Sequence, residues 1–471
     1  MAFYRFRPVL TAFLQHEGLP FADVLPEPTI QQAFAAAGLP APPDDPDDPT
    51  VYTPALTLWA FLSQVLYKGE QRSCLAAVTR VIVMYVALGQ EPCSDNTGAY
   101  CRARARLPVP IIQQLAQQLA DGCEAQVPAS WLWKGRHVHL IDGTTVSMPD
   151  TATNQAEYPQ PTTQAPGLGF PMIRMVVLLS LATALVKDMA LGPYAGKETG
   201  ETALLRQLLD RLQPGDVLLA DRYYCSYFLL ALLQEVGVEV VSRLHQSRTC
   251  DFRRGERLGR GDHRVLWTRP ARPDWMDQAT YERLPPTLLV REVQVQVQQP
   301  GFRVHALVVV TTLSDADHYT QSDLAELYHQ RWLVELDIRS IKISLGMDVL
   351  RCQTPAMVRK EIWVCLLAYN LLRQTMLQAA RLAALSPRQL SFTAAMQKIA
   401  ASWGTMAVLS GPVARRLIEV HLSDMACHLV GDRPDRVEPR AIKRRPKPHR
   451  LLLEPRAQAR AALLAGGVAE E

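Results

Sequence analysis

Between His137 and Leu244 the chain consists of strand-like and helix-like segments in the order β-β-β-α-β-α-β. The strand-like segments are rich in β-branched and aromatic residues, and the helix-like segments lie between the later strands. The predicted strands are 137–148, 173–183, 184–191, 217–220 and 238–244, and the predicted helices are 198–212 and 226–236. This order predicts an α/β fold, with a mixed sheet flanked by helices.

Residues 246 to 318 differ from the segments on either side of them. Arginines are concentrated in 248–264, and strand-like segments follow at 264–268, 288–297 and 302–313. The strict alternation of Val and Gln within 293–297 is typical of a sheet with one solvent-exposed face. We interpret this part as a β-rich insertion that interrupts the mixed-sheet domain.

The two ends of the chain differ from its middle in composition and in predicted structure. Residues 1 to about 130 are predicted to be mostly helical, broken by a Pro/Asp-rich loop at 40–49. Alternate arginines within 101–106 form either a solvated helix surface or a phosphate-contacting one. The basic run at 443–450 is either a solvated tail or an auxiliary DNA contact.

The composition suits a folded protein of several domains, with 471 residues, 48% of them hydrophobic and 20% charged. The net charge of +4 is compatible with a nucleic-acid partner but too small to indicate one. The 9 cysteines are scattered without a Cys-x2-Cys pair, which argues against zinc ligation and disulfides and for a reducing cytoplasm. The longest apolar run, 175–186, is too short to cross a bilayer, and the amino terminus does not resemble a signal peptide.

The stretch from Tyr328 to Lys342 contains neither Gly nor Pro, and it predicts a helix from about 323 to 345 with Ser322 as its cap. Helical spacing places two stripes side by side. The polar and aromatic stripe contains Tyr328, Arg331, Trp332, Glu335, Arg339 and Lys342, and the apolar one contains Leu327, Val334, Ile338, Ile341 and Leu345. The first stripe is either a solvated face with Arg331–Glu335 and Glu335–Arg339 ion pairs or part of a site for an anion and a metal.

Two aspartates follow apolar strands, Asp142 after Ile141 and Asp221 after 217–220. Each alone is more often a turn or cap residue. Together with Glu335, however, they would form an oxygen-rich site suited to Mg²⁺ or Mn²⁺ and to in-line phosphoryl displacement. Lys342 and Arg331 would then neutralise DNA phosphates, and Trp332 and Tyr328 would stack on an unpaired base.

The spacing Tyr328-x2-Arg331-x3-Glu335-x6-Lys342 resembles the Tyr-Arg-Glu-Lys signature of DDE transposases of the IS-four family of bacterial insertion sequences. Asp142-Gly-Thr and Asp221-Arg-Tyr resemble the first and second aspartate motifs of that family, in the same order. The resemblance covers about residues 130 to 380 and, more loosely, the helical amino-terminal region.

The resemblance implies an RNase H-like catalytic domain that binds two divalent metal ions, Mg²⁺ or Mn²⁺, at Asp142, Asp221 and Glu335. It also implies a homodimer that brings together two terminal inverted repeats and target DNA. Water would cut one strand, and the freed 3′-hydroxyl would attack the other strand or the target. In that family the Tyr, Arg and Lys of the signature contact transposon-end phosphates, which implies this role for Tyr328, Arg331 and Lys342. The further DNA-binding residues that we expect are Trp332 and Arg222.

With this resemblance the chain divides into five parts. They are a helical DNA-binding domain (1–130), the two parts of the RNase H-like core (131–245 and 319–400), the β-rich insertion (246–318) and a carboxy-terminal helical region with a basic tail (401–471). The expected location is the bacterial cytoplasm, with the nucleoid and away from membranes.

Two other functions fit the same residues. One is a metal-dependent nuclease of the same fold that hydrolyses DNA without strand transfer. The other is an inactive, domesticated copy that only binds DNA, although the presence of all three acids and the basic signature argues against it. Trp267 and Trp275 in the insertion are candidates to receive a flipped base, with structural packing as the alternative.

Overall fold

The computed structural model describes residues 51–52, 54–296, 306–409, 411–431 and 450–465. The Pro/Asp-rich loop at 40–49 and residues 443–449 of the basic run lie outside the described residues. None of the helices within the described ranges has the length and apolar character needed to cross a bilayer.

The described amino-terminal region is helical, as predicted. Its helices are α1 (Pro54–Leu66), α2 (Cys74–Ala87), α3 (Thr97–Arg106) and α4 (Val109–Glu124). Ser73 and Asn96 cap α2 and α3 by accepting backbone hydrogen bonds from Ala76 and Gly98. In α3 the Arg104 guanidinium packs over Phe61, which leaves Arg102 and Arg106 as the exposed members of the arginine run.

The mixed sheet is built from β1 (Val138–Ser147), β2 (Met172–Ser180), β3 (Val186–Pro193), β4 (Val217–Ala220) and β5 (Glu239–Arg243). They lie in the order β3-β2-β1-β4-β5. Strand β2 is antiparallel to β1 and β3, whereas β4 is parallel to β1 and β5. This arrangement is that of an RNase H-like core, and the predicted fold class is confirmed. The intervening helices are α5 (Ala152–Glu157), α6 (Glu201–Arg206) and α7 (Tyr227–Glu235).

The insertion is β-rich, as expected, and it extends the same sheet. It contains β6 (Glu256–Gly259), β7 (Asp262–Thr268), α8 (Gln278–Arg283), β8 (Thr287–Gln296) and β9 (Ala306–Thr311). Strand β9 pairs antiparallel with β5 on one side and with β8 on the other, so the sheet has 9 strands. Val293 and Val295 are buried and Gln294 and Gln296 exposed, which confirms the predicted alternation.

After the insertion the chain is helical again. The helices are α9 (Gln321–His329), α10 (Leu333–Arg339), α11 (Pro355–Leu382), α12 (Phe392–Val408), α13 (Gly411–Ala426) and α14 (Arg456–Leu464). The long helix α11 packs against α1, α4 and α13. The Asn370 side chain on α11 joins three elements, since it accepts from the Val186 amide of β3 and donates to the carbonyls of Val186 and of Ala116 on α4.

The helix predicted over 323–345 is present as one run of helical backbone from residue 321 to 344, but its regularity and its start differ from the prediction. A 3₁₀ turn (Gln330–Trp332) separates α9 from α10, and a π-helical turn (Ser340–Ser344) follows α10. The helix also begins earlier than expected. Its cap is Thr320 rather than Ser322, because Thr320 and Asp323 form a reciprocal capping box. The apolar stripe is confirmed: it consists of the buried side chains Leu327, Val334, Ile338, Ile341 and Leu345.

Helix α10 is held against the core by a buried ionic network. Asp337 accepts from Arg373 of α11 at 2.7 Å through one carboxylate oxygen and from Arg388 at 3.0 Å through the other. The Nε atom of Arg373 also donates to the Tyr369 hydroxyl at 2.9 Å. Both carboxylate oxygens are therefore satisfied, and the orientation of α10 relative to α11 is determined by charged hydrogen bonds.

Replacing Asp337 with alanine is expected to destabilise the fold by about 3–5 kcal/mol, because it leaves two guanidinium groups near the core without their carboxylate. The measurement is the free energy of unfolding in urea. Glu419→Ala, which removes an exposed carboxylate 3.4 Å from Arg416, is the control and is expected to cost at most about 1 kcal/mol. Equal effects of the two substitutions would contradict this role of Asp337.

Candidate active site

The two predicted aspartates lie level with each other on adjacent strands. Strands β1 and β4 are parallel, and Leu140 is paired with Leu219. Asp142 and Asp221 each stand two residues further along their chains, and neighbouring strands are about 4.8 Å apart. The parallel pairing therefore brings the two carboxylates together where β4 ends. Asp221 directly follows the last residue of β4, but Asp142 lies in the middle of β1, which continues to Ser147, so the prediction of a strand end at Asp142 is wrong.

Asp142 is partly buried, with 21% of its side chain exposed. Burial is the largest cause of a pKa raised to about 6, and the charges of Asp221 and Glu201 raise it further. The Gly143 amide, which donates to Asp142 at 2.8 Å, and the nearby Arg331 guanidinium oppose this increase. The site therefore disfavours the ionised carboxylate unless a further positive charge is present.

Arg331 lies between the first and third acids. Its Nη1 atom is 3.8 Å from Asp142 Oδ2, and its Nη2 atom is 2.5 Å from Glu335 Oε1. Glu335 has 59% of its side chain exposed. Within the described residues, the carboxylate oxygens of Asp142, Asp221 and Glu335 do not all lie within 4.8 Å of one another, so the three acids do not form a group that could hold one metal ion in this arrangement. The arginine pairs with Glu335 and separates it from Asp142.

The predicted Arg331–Glu335 ion pair is thus present, but the prediction of a Glu335–Arg339 ion pair is wrong. Arg339 is exposed, and within the described part of the chain it forms no ion pair. The reason is that Glu335 is turned toward the preceding turn of helix, where Arg331 is held between it and Asp142.

Lys342 and Tyr328 lie on opposite sides of this group. The Lys342 ammonium donates to Thr144 Oγ1 at 3.1 Å and to the Thr145 carbonyl at 2.7 Å, directly after Asp142 on β1. Burial raises the pKa of Tyr328 to about 12, and the nearby charges of Arg331 and Arg243 oppose the shift while that of Asp221 adds to it. Lys342 is therefore near Asp142 in β1, and Tyr328 is near Asp221 after β4.

The remaining predicted DNA-binding residues are accessible to a ligand. Trp332 is 45% exposed, and Arg222, which directly follows Asp221, is also exposed. The insertion tryptophans are held by protein contacts instead. Trp267 is buried and donates to Glu292, and Trp275 packs under the Arg206 guanidinium.

A fourth carboxylate, which the sequence did not indicate, lies at the site. Glu201 is the first residue of α6, and its Oε2 atom accepts a hydrogen bond from Tyr224 at 3.2 Å. A Cβ atom added to Gly143 would lie 2.2 Å from Glu201 Cδ, so the glutamate rests directly on the backbone after Asp142. Burial raises the pKa of Glu201, and Asp221 adds to the shift. The hint of this contact in the sequence is the glycine that follows Asp142, but a glycine alone does not show that Glu201 packs against it.

The chemistry of these donors suits a hard divalent cation, although among the described residues no three of these carboxylates have their oxygens within 4.8 Å of one another. Three carboxylates whose negative charges repel one another lie together, those of Asp142, Asp221 and Glu201. Glu335 is linked to them through Arg331, which contacts both Asp142 and Glu335. Mg²⁺ and Mn²⁺ prefer such oxygen ligands, and their charge removes the repulsion between carboxylates.

Comparison with known proteins identifies the family. The family model described as "Transposase DDE domain" matches residues 133–371, about half of the chain, from just before β1 into α11. Transposase InsG for insertion sequence element IS4 of Escherichia coli (strain K12) is 28% identical over 357 residues, which cover 74% of this chain and 76% of InsG. The putative transposase InsZ of the same organism is 25% identical over 140 residues, covering 30% of this chain and 46% of InsZ.

A solved structure of the piggyBac transposase synaptic complex with hairpin DNA aligns with a TM-score of 0.41 and 10% identity, covering 92% of this chain and 87% of that one. The family match spans the strands and helices that carry Asp142, Asp221 and Glu335. The chain therefore belongs to the transposase DDE-domain family and is a transposase of the IS4 family.

Proposed function

We propose that this transposase binds the terminal inverted repeats of its insertion sequence and catalyses strand cleavage and strand transfer at Asp142, Asp221 and Glu335. The observation that supports the proposal is the parallel register of β1 and β4, in which Asp142 of β1 is level with Asp221 at the end of β4. Carboxylates side by side on adjacent strands can act on one phosphodiester, as in-line displacement requires.

The cofactor is a divalent metal, Mg²⁺ or Mn²⁺, bound as two ions by Asp142, Asp221 and Glu335. When bound, it would activate the attacking oxygen and stabilise charge on the leaving oxygen. Glu335 is exposed and paired with Arg331, so it joins the aspartates only when this pair is exchanged. A DNA phosphate is a suitable new partner for Arg331, because a guanidinium binds phosphate and carboxylate with the same fork of donors.

The DNA surface in this proposal consists of exposed and half-buried groups around the acids. Lys342 and Arg331 neutralise backbone phosphates, Arg222 adds a charge beside Asp221, and Trp332 and Tyr328 stack on an unpaired base. Two copies of the chain bring two inverted repeats and the target together as a homodimer, in the cytoplasm with the nucleoid. This assembly follows from a reaction that joins two ends of one element.

The amide variants Asp142→Asn, Asp221→Asn and Glu335→Gln are each expected to lower cleavage and joining by at least about a hundredfold, because each removes a metal-binding charge. The assay uses purified protein, Mg²⁺ and DNA carrying the element's inverted repeats, with products resolved on a gel. Glu326→Gln, an exposed acid on α9, is the control and is expected to keep full activity. If the unaltered protein binds this DNA but yields neither cleaved nor joined products, the DNA-binding copy without catalysis is favoured, whereas unchanged cleavage in all three variants would contradict the assigned acids.

The same assay separates strand transfer from hydrolysis. A transposase yields joined products in which an element end is attached to a new strand. Nicked or linear products that are never joined, even with target DNA in excess, would favour the nuclease alternative.

Glu201→Gln is expected to lower the cleavage rate by about 10–100-fold and to raise the Mg²⁺ concentration needed for half-maximal rate, because Glu201 packs on the backbone directly after Asp142 and adds a negative charge beside it. Gly143→Ala is expected to act in the same direction, since its Cβ would displace Glu201. The control is Glu198→Gln, an exposed acid in the same segment. A normal Mg²⁺ dependence in Glu201→Gln would restrict this residue to packing.

Lys342→Ala is expected to weaken DNA binding and to reduce the slope of log K against log salt by about 1, the loss of one phosphate contact. Fluorescence anisotropy with labelled inverted-repeat DNA over a salt series measures the slope. Arg339→Ala is the matched control, because it removes an exposed cation three residues away that lies outside the signature. A slope that changes equally in both variants would assign the effect to net charge instead of to a contact.

A further inference from the structure

Three side chains of the insertion form a compact group of metal-ligating atoms. Cys250 lies in the loop between β5 and β6, and His263 on β7 is directly opposite Glu292 on β8. One donor atom from each residue lies within 4.8 Å of the other two. His263 and Glu292 are buried, with 1% and 6% of their side chains exposed.

The histidine is oriented by a backbone contact. Its Nδ1 atom is 2.7 Å from the Arg254 carbonyl oxygen, which only accepts, so Nδ1 carries a proton. Its Nε2 atom is then directed at Glu292 Oε2, 3.0 Å away, and at Cys250 Sγ, 3.8 Å away. A neutral imidazole would point a lone pair at a carboxylate, which is unfavourable without a cation between them. The group therefore needs either a second proton on His263 or a metal ion.

The glutamate is oriented as well. Trp267 Nε1 donates to Glu292 Oε1 at 3.0 Å, which leaves Oε2 facing His263 and Cys250. The Arg248 guanidinium covers the Trp267 ring, 3.7 Å from its centroid. Outer hydrogen bonds that hold a histidine and a carboxylate in one orientation are typical of metal sites.

We propose that Cys250, His263 and Glu292 bind a zinc ion. Thiolate, imidazole and carboxylate are the ligands that zinc prefers, and bonds of about 2.0–2.3 Å in a tetrahedron place ligand atoms roughly 3.3–3.7 Å apart. The observed separations of 3.0 and 3.8 Å are close to these values. Water takes the fourth position. Binding releases the thiol proton, and any second proton on His263, to solvent.

The ion would fasten the arginine-rich loop to the sheet. Arg253 and Arg254 extend from this loop into solvent. The same loop supplies both the Cys250 ligand and the carbonyl that orients His263, so its position depends on the group. A role of these arginines in contacting DNA rests on the proposed function, whereas the zinc site itself does not.

The test is the zinc content of the purified full-length chain, measured by plasma mass spectrometry after exhaustive dialysis. About one zinc per chain is expected, and none above buffer level in Cys250→Ser or Glu292→Gln. Cys427→Ser and Glu256→Gln, an exposed thiol and an exposed carboxylate of the β6–β7 hairpin, are the matched controls and keep the metal.

The second measurement uses the unaltered chain, so it does not depend on whether a variant folds. After removal of metal with a chelator, zinc chloride is expected to raise the thermal midpoint and to protect the arginine-rich loop from protease, whereas Mg²⁺ alone is not expected to protect this loop. A chain that retains no zinc and shows no shift on adding it would overturn the proposal and leave a buried His263–Glu292 ion pair. Zinc retained by Asp142→Asn, whatever its activity on DNA, separates this result from the proposed transposition chemistry.

Discussion

The parallel pairing of β1 with β4 is the interaction on which the site depends. It places Asp142 of β1 level with Asp221 at the end of β4, where partial burial and repulsion from neighbouring carboxylates raise the pKa of Asp142 to about 6. The fold tolerates this cost because Gly143 and Arg331 supply a hydrogen bond and a positive charge. A carboxylate pair that is strained without a cation is suited to receive one, which links the strand register directly to metal-dependent chemistry.

The third acid reaches this edge from a helix, and its placement has a separate cause. Asp337, two residues after Glu335, is buried between Arg373 and Arg388 and holds α10 on the core. A 3₁₀ turn precedes α10 and a π turn follows it. Arg331 contacts both Asp142 and Glu335, while Lys342 reaches back to β1. The buried network around Asp337 thus holds the helix that carries Glu335, and the ion pair between Glu335 and Arg331 is exposed and can exchange its partners.

The core and the insertion differ in the metal chemistry that their side chains favour. The core offers carboxylate oxygens alone, which suit hard ions such as Mg²⁺. The insertion offers a thiol, an imidazole and a carboxylate in a buried pocket, which suit a softer ion. The two sets lie at different parts of one continuous sheet, since β9 joins the insertion to β5. A structural ion in the insertion would not compete with the ions of the active site.

The sequence by itself determined the succession of the five core strands along the chain and the β-rich character of the insertion. It also determined the apolar stripe of Leu327 to Leu345 and the signature that identifies the family. These properties depend on local periodicity and spacing, which a chain carries whatever its tertiary contacts. The assignment of Asp142, Asp221 and Glu335 to the reaction stays a prediction from the signature. The tertiary structure decided the 3₁₀ and π turns around α10, the loss of the Arg339 pair and the approach of Glu201 to Gly143. It also brought together Cys250, His263 and Glu292, whose chain separations of 13 and 29 residues match no short zinc motif. The contacts of Glu201 with Gly143 and of Cys250 with His263 and Glu292 join distant residues through strand register and packing, and local sequence patterns do not encode that information. The Thr320–Asp323 capping box, by contrast, is a local pattern that the prediction of a Ser322 cap missed.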